Sequence, residues 1–400
     1  MKKIFSIIIC ILITCSLSFV SAATISSECD ISDIEIPIDA TITDAAIGTQ
    51  LDIKAKSAIL MEVNTGKVLY EMNSDEKLPP ASITKIMSLL LVMEAIQGGK
   101  MSVEDVITAS EHACSMGGSQ IWLEPGEAMT VDDLLKAAVI ASANDATVAL
   151  GEAIAGSEEG FVAQMNAKAA QLGMNNTHFV NATGLDAEGH ISTAHDVAIM
   201  SKELIKHDLI KNYSTVWMDS LRGGESELVN TNKLVRFYEG TTGLKTGTTS
   251  SAGYCLSATA ERNGLELVAV IMSGDTSADR FNGAKKLLDY GFANYEYASV
   301  TPQLELNELD VKNGVDGKVK IAAKENFGAL LKKSETAAVT QQINLKQNLT
   351  APVTKDQIVG TVDFYLNDEM IGQVDIIASH NVDKMTFLTA FLWILDGLLK

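Results

Sequence analysis

The sequence predicts an α/β fold: an antiparallel sheet with a helical subdomain, then a small all-β domain and a C-terminal amphipathic helix. Three observations carry that prediction. Strand-like runs at 58–70 and 244–273 bracket a long alanine-rich helical stretch, so one sheet joins early and late segments. From about Thr301 the composition turns to short alternating runs of Val, Ile, Thr and Lys. Met385 to Lys400 places its apolar side chains on one arc of a helix. With 400 residues, 46% hydrophobic and 20% charged, the chain has the composition of a folded protein of two or three domains.

In chain order, Met1-Lys2-Lys3 is basic, Ile4 to Leu17 is mostly apolar, and Val20-Ser21-Ala22 offers small residues before Ala23. That pattern is a secretory signal over 1–22. Residues 23–50, rich in Ser, Thr, Ile and Asp, read as a leader. A hairpin follows over Ser57 to Tyr70, with its turn at Asn64-Thr65-Gly66. The helical stretch then includes Val131–Ala141, Ala146–Ala155, Phe161–Leu172 and Ala194–His207. Leu244–Thr249, Tyr254–Glu261 and Leu265–Ser273 read as a meander, and Ala278–Tyr290 as a helix. The sheet-and-helix domain is set at 51–297, a β-sandwich at 298–383 and the terminal helix at 384–400. That helix is too short to span a bilayer, and its one-sided apolar face suits a membrane surface.

The formal charge of −20 argues against nucleic acid as a partner. No phosphate-binding glycine loop or zinc-finger spacing is present, and no cofactor is expected. Removal of 1–22 leaves Cys29, Cys114 and Cys255, which is no disulfide framework. Buried free thiols are expected, with a Cys114–Cys255 bridge as the alternative.

The chemistry is expected at Pro79-Pro80-Ala81-Ser82-Ile83-Thr84-Lys85. Ile86, Leu89, Leu90, Met93 and Ile96 recur at helical spacing until Gly98-Gly99, so Ser82 sits in a first helical turn with Lys85 one turn on. An ammonium in apolar surroundings loses solvation and becomes a neutral base, which activates the adjacent hydroxyl. Ser142-Ala143-Asn144 follows a helix end, and Lys245-Thr246-Gly247-Thr248 lies on a strand whose glycine admits a ligand to the backbone. Each pattern is short. Ser74-Asp75-Glu76-Lys77 repeats the first with an acidic interior, and Ser379-His380-Asn381 repeats the second in a loop.

Together the motifs read S-x-x-K, S-x-N and K-T-G, and the triple resembles the penicillin-recognising serine acyltransferases. More narrowly, the chain resembles the low-molecular-weight penicillin-binding proteins that are serine-type D-alanyl-D-alanine carboxypeptidases. Thr65 to Glu71, Pro80 to Lys85, Asn181-Ala182-Thr183-Gly184-Leu185 and Gly243 to Gly247 carry the likeness. It implies a β-lactamase/transpeptidase-like fold over 51–297, a peptidoglycan pentapeptide substrate, acylation by β-lactam antibiotics, and residence outside the cytoplasmic membrane. It further implies Ser82 as nucleophile, Lys85 as base, Ser142 as proton relay and Asn144 as orienting amide. Lys245, Thr246, Gly247, Thr248 and Arg280 would bind the terminal carboxylate region, and Ser82 and Thr248 amides would form the oxyanion hole.

Ala143 stands where the family often has glycine, and Thr248 where it often has histidine. A class A β-lactamase needs a glutamate after S-x-N, and Phe179 to Gly189 offers Glu188 without the expected pattern. The complete set of polar groups speaks against a silent scaffold. His190, His195 and Asp196 have a spacing that suits no common zinc site.

Overall fold

The computed structural model describes residues 51–399. The signal over 1–22 and the leader over 23–50 read from the sequence lie outside the described residues.

Strand β1 (Ala55–Glu62) turns through Gly66 into β2 (Val68–Met72). The Glu62 carboxylate accepts from the amides of Asn64 and Thr65 and from the Thr65 hydroxyl, which fixes the turn. A single 3-10 turn, Ala81–Thr84, leads into α1 (Lys85–Gln97). After it come β3 (Val106–Thr108), α2 (Glu111–Cys114), β4 (Ala128–Thr130), α3 (Val131–Ile140), α4 (Asn144–Ala155), α5 (Glu158–Gln171) and α6 (Ala194–Ile205). Then α7 (Asp208–Ser214), β5 (Met218–Leu221), β6 (Ser226–Val229) and α8 (Leu234–Phe237) precede the meander of β7 (Thr241–Thr249), β8 (Gly253–Arg262) and β9 (Leu265–Gly274).

The main sheet runs β2-β1-β9-β8-β7, and every pairing is antiparallel. The early hairpin and late meander therefore do close one sheet. Its central strand β9 is buried along its whole length because both faces are covered. On one face Leu267, Ala269 and Ile271 meet Phe281, Leu287 and Leu288 of α9 (Ser277–Asn294). The alternating residues Val268, Val270 and Met272 join the other core, with α1 and α6.

Helix α1 departs from the one-sided pattern expected of it. Every residue from Lys85 to Met93 is buried, because α4, α5, α6 and β7 surround the helix. The Ser82 segment thus sits at the end of a central helix, and Ser82 itself belongs to the 3-10 turn rather than to the α-helix.

The chain leaves α9 directly into β10 (Tyr295–Val300), which pairs with β13 (Phe327–Lys332). With β11 (Glu308–Asp310), β12 (Lys318–Ala323), β14 (Thr340–Leu345), β15 (Ile358–Leu366) and β16 (Glu369–Ala378), a second sheet forms in the order β11-β12-β16-β15-β14. Phe327 of β13 stacks on Phe364 of β15 with ring centroids 4.3 Å apart, so the two sheets pack through aromatic faces. Helix α10 (Phe387–Leu399) ends the chain with Phe387, Leu388, Phe391, Leu392 and Ile394 all exposed. No described helix is long and apolar enough to cross a membrane. Cys255 is a buried free thiol, while Cys114, expected to be buried, is a half-buried free thiol.

Candidate active site

Three segments converge where α1 begins. Ala81 takes φ +49°, a left-handed turn that costs a side-chain-bearing residue energy and kinks the chain just before Ser82. The following 3-10 turn puts Lys85 under Ser82: Lys85 Nζ lies 3.0 Å from Ser82 Oγ and donates to Thr183 O at 3.0 Å. Lys85 has no exposed surface and Ser82 is half-buried.

Burial drives the Lys85 pKa well below the ordinary lysine value, and the nearby Lys245 cation pushes it the same way. Asp145 pulls against them. A neutral amine has two N–H groups and one lone pair. With Thr183 O taking an N–H, the lone pair is free to accept the Ser82 proton.

The second segment joins α3 to α4. Ser142, at φ +62°, reverses the chain between the two helices and is buried. Asn144 opens α4. Its amide N–H donates to Ser119 O at 2.7 Å and its Nδ2 to Gly117 O at 2.5 Å. Its Oδ1 is buried with no partner among the described residues. The carboxamide is therefore anchored on the 117–119 loop, and not on Lys85.

The third is β7. Lys245 is fully buried, its Nζ donating weakly to Thr246 O at 3.4 Å. Desolvation, with the Arg280 cation behind it, lowers its pKa to about 7. Gly247 is required here: a Cβ would stand 2.8 Å from the Ser82 amide nitrogen. Thr246 Oγ1 donates to Thr231 Oγ1 at 2.8 Å. Arg280, reaching from α9, is buried instead of forming a surface ion pair. Its Nη1 donates to Gly247 O at 3.1 Å and Thr248 Oγ1 at 2.9 Å. Burial lowers its pKa to about 10, and its Nε has no hydrogen-bond partner among the described residues.

Ser82, Lys85, Ser142, Asn144, Lys245, Thr246, Gly247 and Thr248 thus lie on these three segments, with Arg280 against the third. Two contributors were not foreseen. Thr183 acts through a backbone carbonyl, which leaves no side-chain signature; the loop that carries it fits only because Gly184 lacks a Cβ, which would sit 1.8 Å from Ala81 O. Asp145 is completely buried and accepts from the amides of Ile121 and Leu123. An acid directly after Asn144, inside an otherwise apolar run, was the available signal.

A cavity of about 330 Å³ opens beside the turn, between Pro79, Pro80, Leu185 and Glu188. Glu188 is exposed on its rim. His190 and Asp196 are committed elsewhere: His190 pairs with Thr84 and Val180, and Asp196 accepts from Asn176 and Thr177. His195 is half-buried with its Nδ1 3.7 Å from Asp196 Oδ1, and with His190 bound to Thr84 and Val180 the three do not form a common ligand set.

Comparison with known proteins bears directly on this geometry. Residues 43–276 match the family described as D-alanyl-D-alanine carboxypeptidase, and residues 297–384 match the C-terminal domain of penicillin-binding protein 5. The chain is 44% identical over 346 residues to the D-alanyl-D-alanine carboxypeptidase DacF of Bacillus subtilis, covering 85% of this chain and 89% of that one. Among solved structures, penicillin-binding protein 5 of Haemophilus influenzae superposes with a TM-score of 0.68 at 32% identity, over 85% of this chain and 100% of the other. Penicillin-binding protein D2 of Listeria monocytogenes, in its ampicillin-bound form, gives a TM-score of 0.56 at 33% identity, over 61% of this chain and 100% of that one.

Proposed function

The chain belongs to the D-alanyl-D-alanine carboxypeptidase family and is a serine-type D-Ala-D-Ala carboxypeptidase; from that premise we propose that it removes the terminal D-alanine of peptidoglycan pentapeptide stems through an acyl-enzyme on Ser82. The observation that carries this assignment is the fully buried Lys85 amine, 3.0 Å from Ser82 Oγ.

Lys85 takes the Ser82 proton as Oγ attacks the carbonyl of the penultimate D-alanine. The amides of Ser82 and Thr248 hold the resulting oxyanion, where fixed donors in a dry site are worth most. The C–N bond then breaks, and the D-alanine amine leaves with a proton relayed by Ser142. Water attacks the ester, returns a proton to Ser82 and releases the shortened stem. Asn144, fixed by Gly117, turns its free Oδ1 to the substrate amide. Lys245, Thr246 and Thr248 receive the terminal carboxylate, Gly247 lets it reach the strand, and Arg280 supports them from below. A β-lactam acylates the same serine.

The same reading covers the chain ends. Residues 1–22 direct secretion and 23–50 are a leader. The catalytic domain, 51–297, stands outside the cytoplasmic membrane on the β-domain of 298–383. The helix of 384–400 lies on the lipid surface, its exposed Phe and Leu side chains inserted.

Peptide mapping by mass spectrometry after penicillin exposure tests the core of the proposal. The expected adduct is on the peptide containing Ser82, lost in Ser82→Ala together with D-alanine release from diacetylated L-Lys-D-Ala-D-Ala. An adduct elsewhere, or undiminished release by the variant, sinks it.

A further inference from the structure

His190 is almost fully buried, yet it has no part in the reaction as described. Its surroundings define its state. The Val180 amide N–H donates to Nδ1 at 3.0 Å, so Nδ1 carries no proton. The hydrogen must then be on Nε2, which lies 2.8 Å from Thr84 Oγ1 and donates to it. A second proton at Nδ1 would face the Val180 N–H. Burial, helped by the neighbouring His178, agrees with this neutral form by holding the pKa down at about 4. The Phe179 ring, edge-on at 5.8 Å, fixes the imidazole plane.

The placement of these contacts matters more than their number. Thr84 lies between Ser82 and Lys85, and it is completely buried. Val180 opens the loop that gives Thr183 O to Lys85 Nζ and sets Gly184 against Ala81. At its foot that loop is closed on itself by the backbone pair of His178 with Ile191, and the next residue, Ser192, pairs with Leu78 on the approach to Ser82. Above the foot, the His190 side chain, like that of Lys85 itself, bonds to both the nucleophile turn and the loop. We propose that His190 is a positioning residue that registers the Ser82–Lys85 turn against the Thr183 carbonyl, and so aims the Lys85 lone pair at Ser82.

This inference rests on the assignment of Ser82 as nucleophile and Lys85 as base. It is tested on the full chain by the rate of fluorescent-penicillin labelling. Thr84→Val keeps the shape and removes the acceptor, while His190→Asn keeps an acceptor for Val180 and falls short of Thr84. Each is expected to slow acylation by roughly 10- to 100-fold with little change in KM for peptide, because a small misaim of reacting groups is costly. The double variant is expected to be no slower than either single, and His190→Gln, which again reaches Thr84, to recover part of the rate.

Losses that multiply in the double variant would overturn the inference, as would folded Thr84→Val labelling at the wild-type rate. Thr84→Val decides alone should the histidine variants not fold. Failure of the wild type to label at Ser82 would defeat the underlying assignment instead, so the two failures are told apart.

Discussion

Ser74 and Lys77 repeat the spacing of Ser82 and Lys85 within the same short stretch of chain, yet the two pairs meet different surroundings. Ser74 lies in a turn, its hydroxyl donating to the Glu71 carboxylate at 2.9 Å, and Asp75, Glu76 and Lys77 are all exposed. Ser82 and Lys85 follow a helical turn, and the core closes over the amine. Three-residue spacing brings two side chains together only where the backbone is helical. An amine becomes a base at neutral pH only where water is excluded. The motif is a necessary pattern of letters; the apolar helix after it makes it chemistry.

The largest test of that contrast is Lys85→Arg. A guanidinium stays charged and cannot accept the serine proton, so acylation by penicillin should fall by roughly 10²- to 10⁴-fold. Lys77→Arg should leave it unchanged. Equal losses at the two positions, read by labelling kinetics, would break the comparison.

A subtler effect is expected at Lys245. Its charge adds to the desolvation that lowers the Lys85 pKa, so Lys245→Met should raise that pKa and move the acid limb of the labelling rate to higher pH. Stability carries a second signature. Between about pH 7 and 9 the unfolded chain keeps the Lys245 proton while the fold, with a pKa of about 7, gives it up. Stability of the wild type from this group therefore rises with pH across that window. Denaturant titrations of Lys245→Met should show a shallower rise, and an unchanged slope would contradict the lowered pKa of the buried amine.

The smallest effect on the chemistry is expected from the tail. If burial of α1 alone makes the Ser82 pair reactive, a chain ending at Lys384 should release D-alanine from soluble tripeptide at the full rate. The same truncation should lose co-sedimentation with lipid vesicles. A truncated chain that stays on vesicles would refute the surface role of α10.

Much of this molecule was legible as letters. The hairpin and meander followed from short apolar, strand-like runs between Gly- and Asn-containing turns, and the C-terminal β region from its change of composition. Helix α1 was legible as a helix but not as a central one: its sequence is apolar on every side, and the 3–4 spacing singled out one stripe of it. Arg280 shows the same gap. Its type and place were marked by resemblance alone, and its burial beneath β7 was decided only when α9 packed there.

The sequence by itself determined which residue types were present to react, in what order, and on what kind of local backbone. Those are short-range matters, set by propensity, periodicity and turn chemistry. Tertiary structure alone decided that Thr183 O and His190 meet the Ser82 turn and that the Asp145 charge is felt by Lys85, because backbone acceptors and buried partners leave no periodic trace. It also decided the protonation of Lys85, since a pKa depends on which atoms exclude water from the amine, and most of those atoms lie far away along the chain.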